Sequence, residues 1–440
     1  MTFIPVDRLE RNLPDLKPTY LDGEGVAEAN RCLFCHDAPC INACPTGIDI
    51  PGFIHKIATG NVRGSARTIL SANLLGYSCA RVCPVEVLCV GACVYNAWGR
   101  PPIQIGRLQR YAVEKTFDSG ASEGLLAKAA PTGKKVACVG AGPASLAAAG
   151  YLSLAGVDVT VFEKRNISGG LNSTGVAPYK MHVEGALREV EFIRSLGVTI
   201  REGAEIGKDV KAADLLKDYD AVFLGIGLGA DSQLGVPGED GPGVVGASAW
   251  IERMKLEPGF GLSGVTRAIV VGGGNTAIDA SRELARLGVA DVAIAYRRTA
   301  ADMPGYKHEM EAGRKEGVRL IERAVPKAVV RESDGRVKAL ALQDGRELPA
   351  DLIVVAIGQA KMRELVALFP GVKTNDKGWL VIDAATGATG NPKVFAGGDS
   401  TSGGQEVVNA AQEGKRAARA ICKTLGVAVP PSAAMMAGHE

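Results

Sequence analysis

Apolar residues change their spacing along this chain, and the change divides it. In PGFIHKIATGNVRGSARTIL they fall at Phe53, Ile54, Ile57 and Ala58 and again at Ala66, Ile69 and Leu70, the spacing of helices with one buried face. Ahead of this, Asp7 to Asn30 is mixed in character and reads as an arm and a short helix. Beyond Lys134 the apolar runs become short, continuous and β-branched, as in KKVACVG, TRAIVVG and NPKVFAG, each stopping at glycine. Such runs predict buried strands. An alanine-rich helix follows the first of them, and Gln405 to Ala420 reads as a closing helix. The fold class expected is α/β after a helical start.

Two of the strands sit at the front of a matched pattern. KKVACVGAGPASLAAAGYLSLAGVDVTVFEKR is strand, glycine turn, helix and a second strand ending in Glu163. Gly140 permits the tight turn, Gly142 lets the backbone approach a pyrophosphate, and Ser145 is small enough to keep helix and strand close. Glu163 is placed to accept hydrogen bonds from ribose hydroxyls. In TRAIVVGGGNTAIDASRELARLGVADVAIAYRR the three small positions are Gly272, Gly274 and Ala277, and the second strand ends at Tyr296, followed by Arg297 and Arg298 instead of an acid. An arginine there can pair with a 2′-phosphate, although the same two residues are acceptable as solvated surface charge, so NADH and NADPH both stay open.

DAVFLGIGL from Asp220 and DLIVVAIGQ from Asp351 echo each other, one before the second nucleotide unit and one after it. They read as crossings out of and back into the first nucleotide domain, which makes the second an insertion. Gly397, Gly398 and Asp399 end a later strand, where a carboxylate suits a cofactor's hydroxylated chain; as a plain turn the tripeptide is equally acceptable.

Eight of the ten cysteines lie between Arg31 and Arg110, as Cys32-x2-Cys35-x4-Cys40-x3-Cys44-Pro45 and Cys79-x3-Cys83-Pro84-x4-Cys89-x3-Cys93. Thiolates at these short spacings suit iron–sulfur clusters, and the fourth cysteine of a run often reaches a second cluster. Structural zinc competes poorly, because the only local histidines are His36 and His55 and the runs are denser than zinc ribbon spacing. A disulfide framework would need an oxidising compartment and usually a small secreted chain. Cys138, inside a strand, reads as an ordinary core residue.

A net charge of +2 gives no reason to expect nucleic acid or a membrane surface as partner. MTFIPVDRLERN lacks the apolar core of a signal peptide and no stretch approaches a membrane span, so a cytoplasmic protein is expected. Hydride carries two electrons and an iron–sulfur cluster takes one at a time; a flavin facing a nicotinamide converts between them. The nucleotide domains contain no Cys-x4-Cys pair, so a disulfide reductase is not expected.

CLFCHDAPCINACP, LGYSCARVCPVEVLCVGAC and PIQIGRLQRYA resemble the amino-terminal half of dihydropyrimidine dehydrogenase, and more nearly its separate bacterial flavin and iron–sulfur subunit. The layout is also similar to the glutamate synthase small subunit, and the resemblance covers nearly the whole chain. It implies two 4Fe–4S clusters, one on Cys32, Cys35, Cys40 and Cys93, the other on Cys44, Cys83, Cys89 and Gln109, with Cys79 left as a thiol beside them. It implies FAD at Gly140, Ala141, Gly142, Pro143, Ala144 and Ser145, at Glu163 and Lys164, at Gly169, Gly170 and Leu171, and at Gly398 and Asp399. NADH or NADPH falls to Gly272, Gly273, Gly274, Asn275, Thr276 and Ala277, with Arg297 and Arg298. GVAPYKMH, Gly175 to His182, departs from the pattern of these relatives, which carry an isoleucine-proline and an arginine-leucine-proline there.

The layout expected is a helical domain with two iron–sulfur clusters over 1–115, a linker over 116–130, a Rossmann-like FAD domain in two parts over 131–234 and 361–440, and an inserted Rossmann-like NAD(P)H domain over 235–360. No barrel follows, so the substrate-reducing site is expected on a separate subunit carrying FMN and iron–sulfur clusters, in a hetero-oligomer that reduces pyrimidines. The resemblance leaves two other functions open, the glutamate synthase small subunit and an NAD(P)H:ferredoxin-type oxidoreductase. A third, non-enzymatic reading is a scaffold that binds nucleotides and clusters without turnover. No side chain is expected to act as a catalytic acid or base here.

Overall fold

The computed structural model describes residues 4–429. The tail from Pro430, expected to be mobile, lies outside the described residues. Two compact units alternate along the chain. One comprises Lys17–Ser173, Glu184–Leu228 and Lys361–Glu440, the other Met1–Leu16, Thr174–Val183 and Gly229–Ala360.

The larger unit begins with helices. Ile50–Ala58 and Val62–Ala72 bury Phe53, Ile54 and Ile57, and Ala66, Ile69 and Leu70, as their spacing selects, while Ala58 of the same pattern is half-buried at the helix end. Asp49 and Asn61 start these helices by accepting the amides of Gly52 and Gly64, each at 2.9 Å. The helix Gly76–Val82, which precedes Cys83, is capped differently: the buried Glu189 accepts the amides of Tyr77 at 2.9 Å and Ser78 at 3.1 Å. The helix Ile105–Asp118 continues beyond Lys115, because Thr116 is buried and Phe117 stacks on Tyr77 at 5.7 Å.

The stretch expected to be a linker is tied down as well. Leu125 and Leu126 are buried, and the amides of Ala129 and Thr132 bond to Leu154 and Gly156. Two leucines in a small, basic sequence supply the apolar anchors that its composition obscured.

A five-stranded parallel sheet follows in the order Val394–Ala396, Ala221–Leu224, Lys135–Val139, Asp158–Glu163, Thr199–Glu202. Its edge strand Val394–Ala396 comes from beyond the interruption, so this sheet is complete only after the chain returns. The helices Pro143–Leu154 and Val407–Leu425 pack so closely at Gly414 that an added Cβ would lie 2.1 Å from the Ala144 carbonyl oxygen.

The smaller unit repeats the arrangement with the strand order Val244–Gly246, Leu352–Ala356, Arg267–Gly272, Asp291–Ala295, Arg319–Ile321, all parallel. The two echoing segments take equivalent places: Ala221–Leu224 flanks the first strand of one sheet as Leu352–Ala356 flanks that of the other. A three-stranded antiparallel sheet of Pro326–Arg331, Val337–Leu342 and Glu347–Pro349 is added.

Two short pieces remote in sequence complete the smaller unit. Leu13, Ala177 and Tyr179 belong to its core with Trp250, Ile278 and Val354. Within the divergent segment GVAPYKMH, the Tyr179 hydroxyl donates to Asp279 at 2.6 Å, and Lys180 pairs with Asp279 at 2.8 Å and Glu309 at 3.1 Å. Arg282 lies 4.8 Å over the Tyr179 ring and is held by Glu309 and Glu316. The segment is thus fixed by a buried ionic network on the helix Asn275–Arg286. Among the described residues no helix is long and apolar enough to cross a membrane.

Candidate cofactor sites

The cysteines sort into two cavities within the larger unit. The first is lined by Cys32, Cys35, Cys40 and Cys93 with Leu33, Tyr95 and Ile54. The second is lined by Cys44, Cys79, Cys83, Cys89 and Gln109, with Asn73 and Val408. Each run therefore contributes to both: Cys44 leaves the first run for the second cavity and Cys93 leaves the second run for the first. Proline after Cys44 and after Cys83 helps to turn the chain between them.

Electrostatics marks the same groups. Burial pushes the Cys32 thiol up, and the neighbouring Cys35 and Cys93 add to the effect. Cys40 is pushed up to about 12 by burial and then by Cys32 and Cys93, and Cys89 to about 12 by burial and then by Cys44. The Cys83 thiol is raised first by its hydrogen bond with Cys79 and next by burial. Thiols held together in this way lose their protons when a cation shares their charge. Among the described residues no three His, Cys, Asp or Glu side chains converge on one metal ion; a cube distributes its thiolates over separate irons and does not require that convergence.

Gln109 is 7% exposed, and its Nε2 donates to the Gly76 carbonyl at 2.8 Å. A carbonyl can only accept, so the amide orientation is fixed and Oε1 is the end turned away from Gly76. The buried Cys79 lines the same cavity.

The first glycine turn is crowded at one position and open at another. At Gly140, with φ +86°, an added Cβ would stand 2.7 Å from the Gly225 carbonyl oxygen, whereas at Gly142 the nearest atoms are 4.0 Å away. Gly142 therefore keeps open space in front of the N-terminus of the helix Pro143–Leu154, as a phosphate approach requires. Ala144 and Ser145 are buried in the first turn of that helix, and the Ser145 hydroxyl lies against Gly225, which has no side chain to obstruct it. Gly169 donates to the Ala141 carbonyl at 2.8 Å, and a Cβ on Gly170 would reach 2.7 Å from the Gly142 Cα, so the second glycine pair shares this turn.

Glu163 has a task within the protein besides the one expected of it. Its carboxylate accepts the Ala141 amide at 2.7 Å and the Arg165 amide at 2.9 Å, so it fixes the glycine turn from below. Each oxygen keeps a further lone pair for a ribose hydroxyl. Lys164 and Leu171 are exposed, Leu171 to 38%. Gly398, with φ +80°, approaches Ala144, and Asp399 is half-buried; burial raises its carboxyl, while the Gln405 amide at 3.2 Å and Lys361 oppose the rise.

Pattern reading missed Gly225 and the residue that holds the Gly398 turn, Glu413, which accepts the Gly398 amide at 2.5 Å. The available signal was a glycine, Gly414, inside an otherwise regular helix.

In the smaller unit, an added Cβ on Gly272 would meet the Ala356 carbonyl oxygen at 2.3 Å and one on Gly273 the Tyr296 ring at 2.4 Å, while Gly274 faces open space. The Asn275 side chain accepts the Tyr306 amide at 2.9 Å, and Gly305 donates to the Gly273 carbonyl at 3.0 Å, so the loop after the second strand closes on the turn. Thr276 is exposed and Ala277 is buried in the core. The strand ends at Ala295, one residue before Tyr296; Arg297 and Arg298 are exposed, with Arg298 5.6 Å over the Tyr296 ring.

Comparison with known proteins finds two families along the chain. Residues 9–121 match the family described as dihydropyrimidine dehydrogenase domain II, 4Fe-4S cluster, and residues 134–414 match the pyridine nucleotide-disulphide oxidoreductase family. The chain is 35% identical over 410 residues to the NAD-dependent dihydropyrimidine dehydrogenase subunit PreT of Escherichia coli, covering 93% of this chain and 96% of that one. It is 33% identical over 442 residues to the small chain of the NADPH glutamate synthase of Escherichia coli, covering 93% of each. Among solved structures, T. acidophilum thioredoxin reductase aligns over 66% of this chain and 98% of its own, with a TM-score of 0.53 and 22% identity, a likeness of fold.

Proposed function

Because the chain belongs to the pyridine nucleotide-disulphide oxidoreductase family, carries the dihydropyrimidine dehydrogenase 4Fe–4S domain and is an NAD(P)H-dependent oxidoreductase, we propose that it is the electron-input subunit of a dihydropyrimidine dehydrogenase. FAD held here would supply two-electron exchange with NAD(P)H, and two 4Fe–4S clusters would supply single-electron transfer toward a partner subunit that reduces uracil or thymine. The observation that carries this reading lies in one unit: Val408, on the helix clamped to the Gly398 turn, also walls the second thiol cavity.

The chain's own residues bind and orient. Cys32, Cys35, Cys40 and Cys93 would hold one cluster, and Cys44, Cys83, Cys89 and Gln109 the other. Gly142 with Pro143, Ala144 and Ser145 leaves the pyrophosphate its approach to free amides, and Glu163 fixes the turn and offers lone pairs to the ribose. Gly169, Gly170 and Leu171 with Gly398 and Asp399 complete the flavin site. Gly274, Asn275 and Thr276 receive the nicotinamide dinucleotide, with Arg297 and Arg298 toward its adenosine end. Protein groups act by position and charge, and none donates a proton to the pyrimidine.

Anaerobic oxidation of NADH and NADPH by the chain co-purified with its partner, with and without uracil, tests the proposal. Uracil-dependent oxidation yielding dihydrouracil supports it. If uracil is inert while glutamine with 2-oxoglutarate drives turnover, the second reading replaces it, a glutamate synthase small subunit, favoured by the 33% identity over 93% of the chain.

A further inference from the structure

Three consecutive residues of the helix Val407–Leu425 touch three parts of the larger unit. Glu413 accepts the Gly398 amide at 2.5 Å and the Thr401 hydroxyl at 3.2 Å. Gly414 lies against the Ala144 carbonyl of the glycine-turn helix. Lys415 points inward, is 1% exposed, and donates from Nζ to the Ala72 carbonyl at 2.8 Å and the Thr46 carbonyl at 3.2 Å.

Both acceptors are next in the chain to residues that line the second thiol cavity, Pro45 and Asn73. Ala72 ends the helix Val62–Ala72, and the next residue, Asn73, lines the cavity. Thr46 follows Cys44 and Pro45, and its hydroxyl stands 3.3 Å from the Cys44 sulfur. Among the described residues no carboxylate forms an ion pair with Lys415, and Arg419, one turn along the same helix, is a second cation that disfavours its charge. The Lys415 Nζ also lies 5.8 Å from the centre of the Tyr151 ring, so among the described residues the ammonium has neutral partners only, an expensive state for a buried charge unless an opposite charge lies close by. A helix C-terminus favours a cation and accounts for the Ala72 bond. The Thr46 bond places that cation on the cysteine loop itself.

Resting on the cluster assignment above, we propose that Lys415 is the fixed counter-cation of the second cluster and raises its one-electron reduction potential. Three thiolates and a neutral amide leave that cavity anionic when loaded, and this is the counter-charge Lys415 lacks within the protein. Reduction adds one electron drawn from the NAD(P)H-reduced flavin; no bond breaks and no proton moves. The ammonium therefore stabilises the reduced form more than the oxidised form. Lys415 acts as a positioning charge and touches no substrate.

The test compares the full-length holoprotein with Lys415→Gln, which keeps a donor for Ala72 and loses the charge, and with Lys415→Arg, which keeps the charge. Iron, acid-labile sulfide and flavin are measured first, then midpoints by redox titration with EPR for the clusters and absorbance for the flavin. Lys415→Gln is expected to lower one cluster midpoint by at least tenfold in the one-electron equilibrium, about 59 mV, leaving the other cluster and the flavin in place, while Lys415→Arg stays with the wild type. Unchanged midpoints in Lys415→Gln, or equal shifts in both clusters, overturn the proposal. If Lys415→Gln fails to retain the second cluster, retention in Lys415→Arg supports a charge role, and loss in both variants assigns the lysine to packing. A wild-type chain holding one cluster would overturn the cluster assignment itself, a failure visible before any variant is made.

Discussion

The carboxylate of Asp351 accepts both the backbone amide and the guanidinium of Arg267, each at 2.9 Å. It also accepts the Thr266 amide at 2.9 Å and hydroxyl at 2.7 Å, so the residue before one strand fixes the start of its neighbour. The larger unit does the same with less: Asp220 accepts the Lys135 amide at 2.8 Å. The two aspartates open the two echoing segments, and their shared task is to set the register of the central strand pair.

That arrangement predicts an acid-sensitive unit. Burial disfavours the charged form of Asp351, but the hydrogen bonds from Arg267 and Thr266 outweigh it and hold the carboxyl well below the usual carboxylate range. As pH falls below the ordinary value of about 3.9 the unfolded chain binds the proton first, so this stability is complete above that pH and is lost progressively in more acidic solution. Asp351→Asn is expected to cost about 1 kcal/mol at neutral pH, with the gap from wild type narrowing toward the acid end. Urea unfolding at several pH values checks it; a gap constant down to the acid end would refute the ionic origin.

The contrast between Gly140 and Gly142 separates folding from binding. Gly142→Ala adds a methyl to open space at φ −82° and is expected to fold with the wild-type melting temperature when stripped of flavin, yet to retain little FAD. Gly140→Ala, at φ +86° and against the Gly225 carbonyl, is expected to lose roughly 1–3 kcal/mol of stability. Equal flavin content in Gly142→Ala and wild type would remove that turn from the flavin site.

The second thiol cavity holds one candidate ligand more than a cube accepts. With Gln109 as ligand, Cys79→Ala is expected to keep the full iron content, while Cys83→Ala and Cys44→Ala each lose one cluster and keep the other. Iron and sulfide analysis with EPR of the reduced protein reads the result. Loss of a cluster in Cys79→Ala, with its retention in Gln109→Leu, would exchange the two roles.

Arg297 and Arg298 are exposed at the end of the second strand of the smaller unit. If they receive a 2′-phosphate, Arg297→Ala with Arg298→Ala raises KM for NADPH about tenfold, roughly 1.4 kcal/mol, and leaves NADH unaffected. Equal effects on both nucleotides, measured as flavin reduction, would leave these arginines as surface charge.

Much of this protein follows from local rules. The helices at Ile50 and Val62, the two glycine turns and the strands around them repeat at spacings that only one backbone geometry satisfies, so Phe53, Ile69, Gly140 and Gly272 announce themselves. The cysteine runs declare soft ligands by spacing alone. The resemblance implies that Cys44 and Cys93 change sides, but spacing alone does not, because the two runs meet only when helices far apart in sequence pack. The same holds for Glu163, whose carboxylate the fold commits to two amides of its own unit, and for the Tyr179–Asp279 pair, which explains why GVAPYKMH belongs with a helix a hundred residues later. Lys415 is the clearest case: sequence presents a lysine on an amphipathic helix, and burial between Thr46 and Ala72 makes it an uncompensated charge. Spacing and period are properties of neighbours along the chain and were legible from the start. Charge pairing and burial depend on partners brought together by long-range packing, and only the tertiary structure decides them.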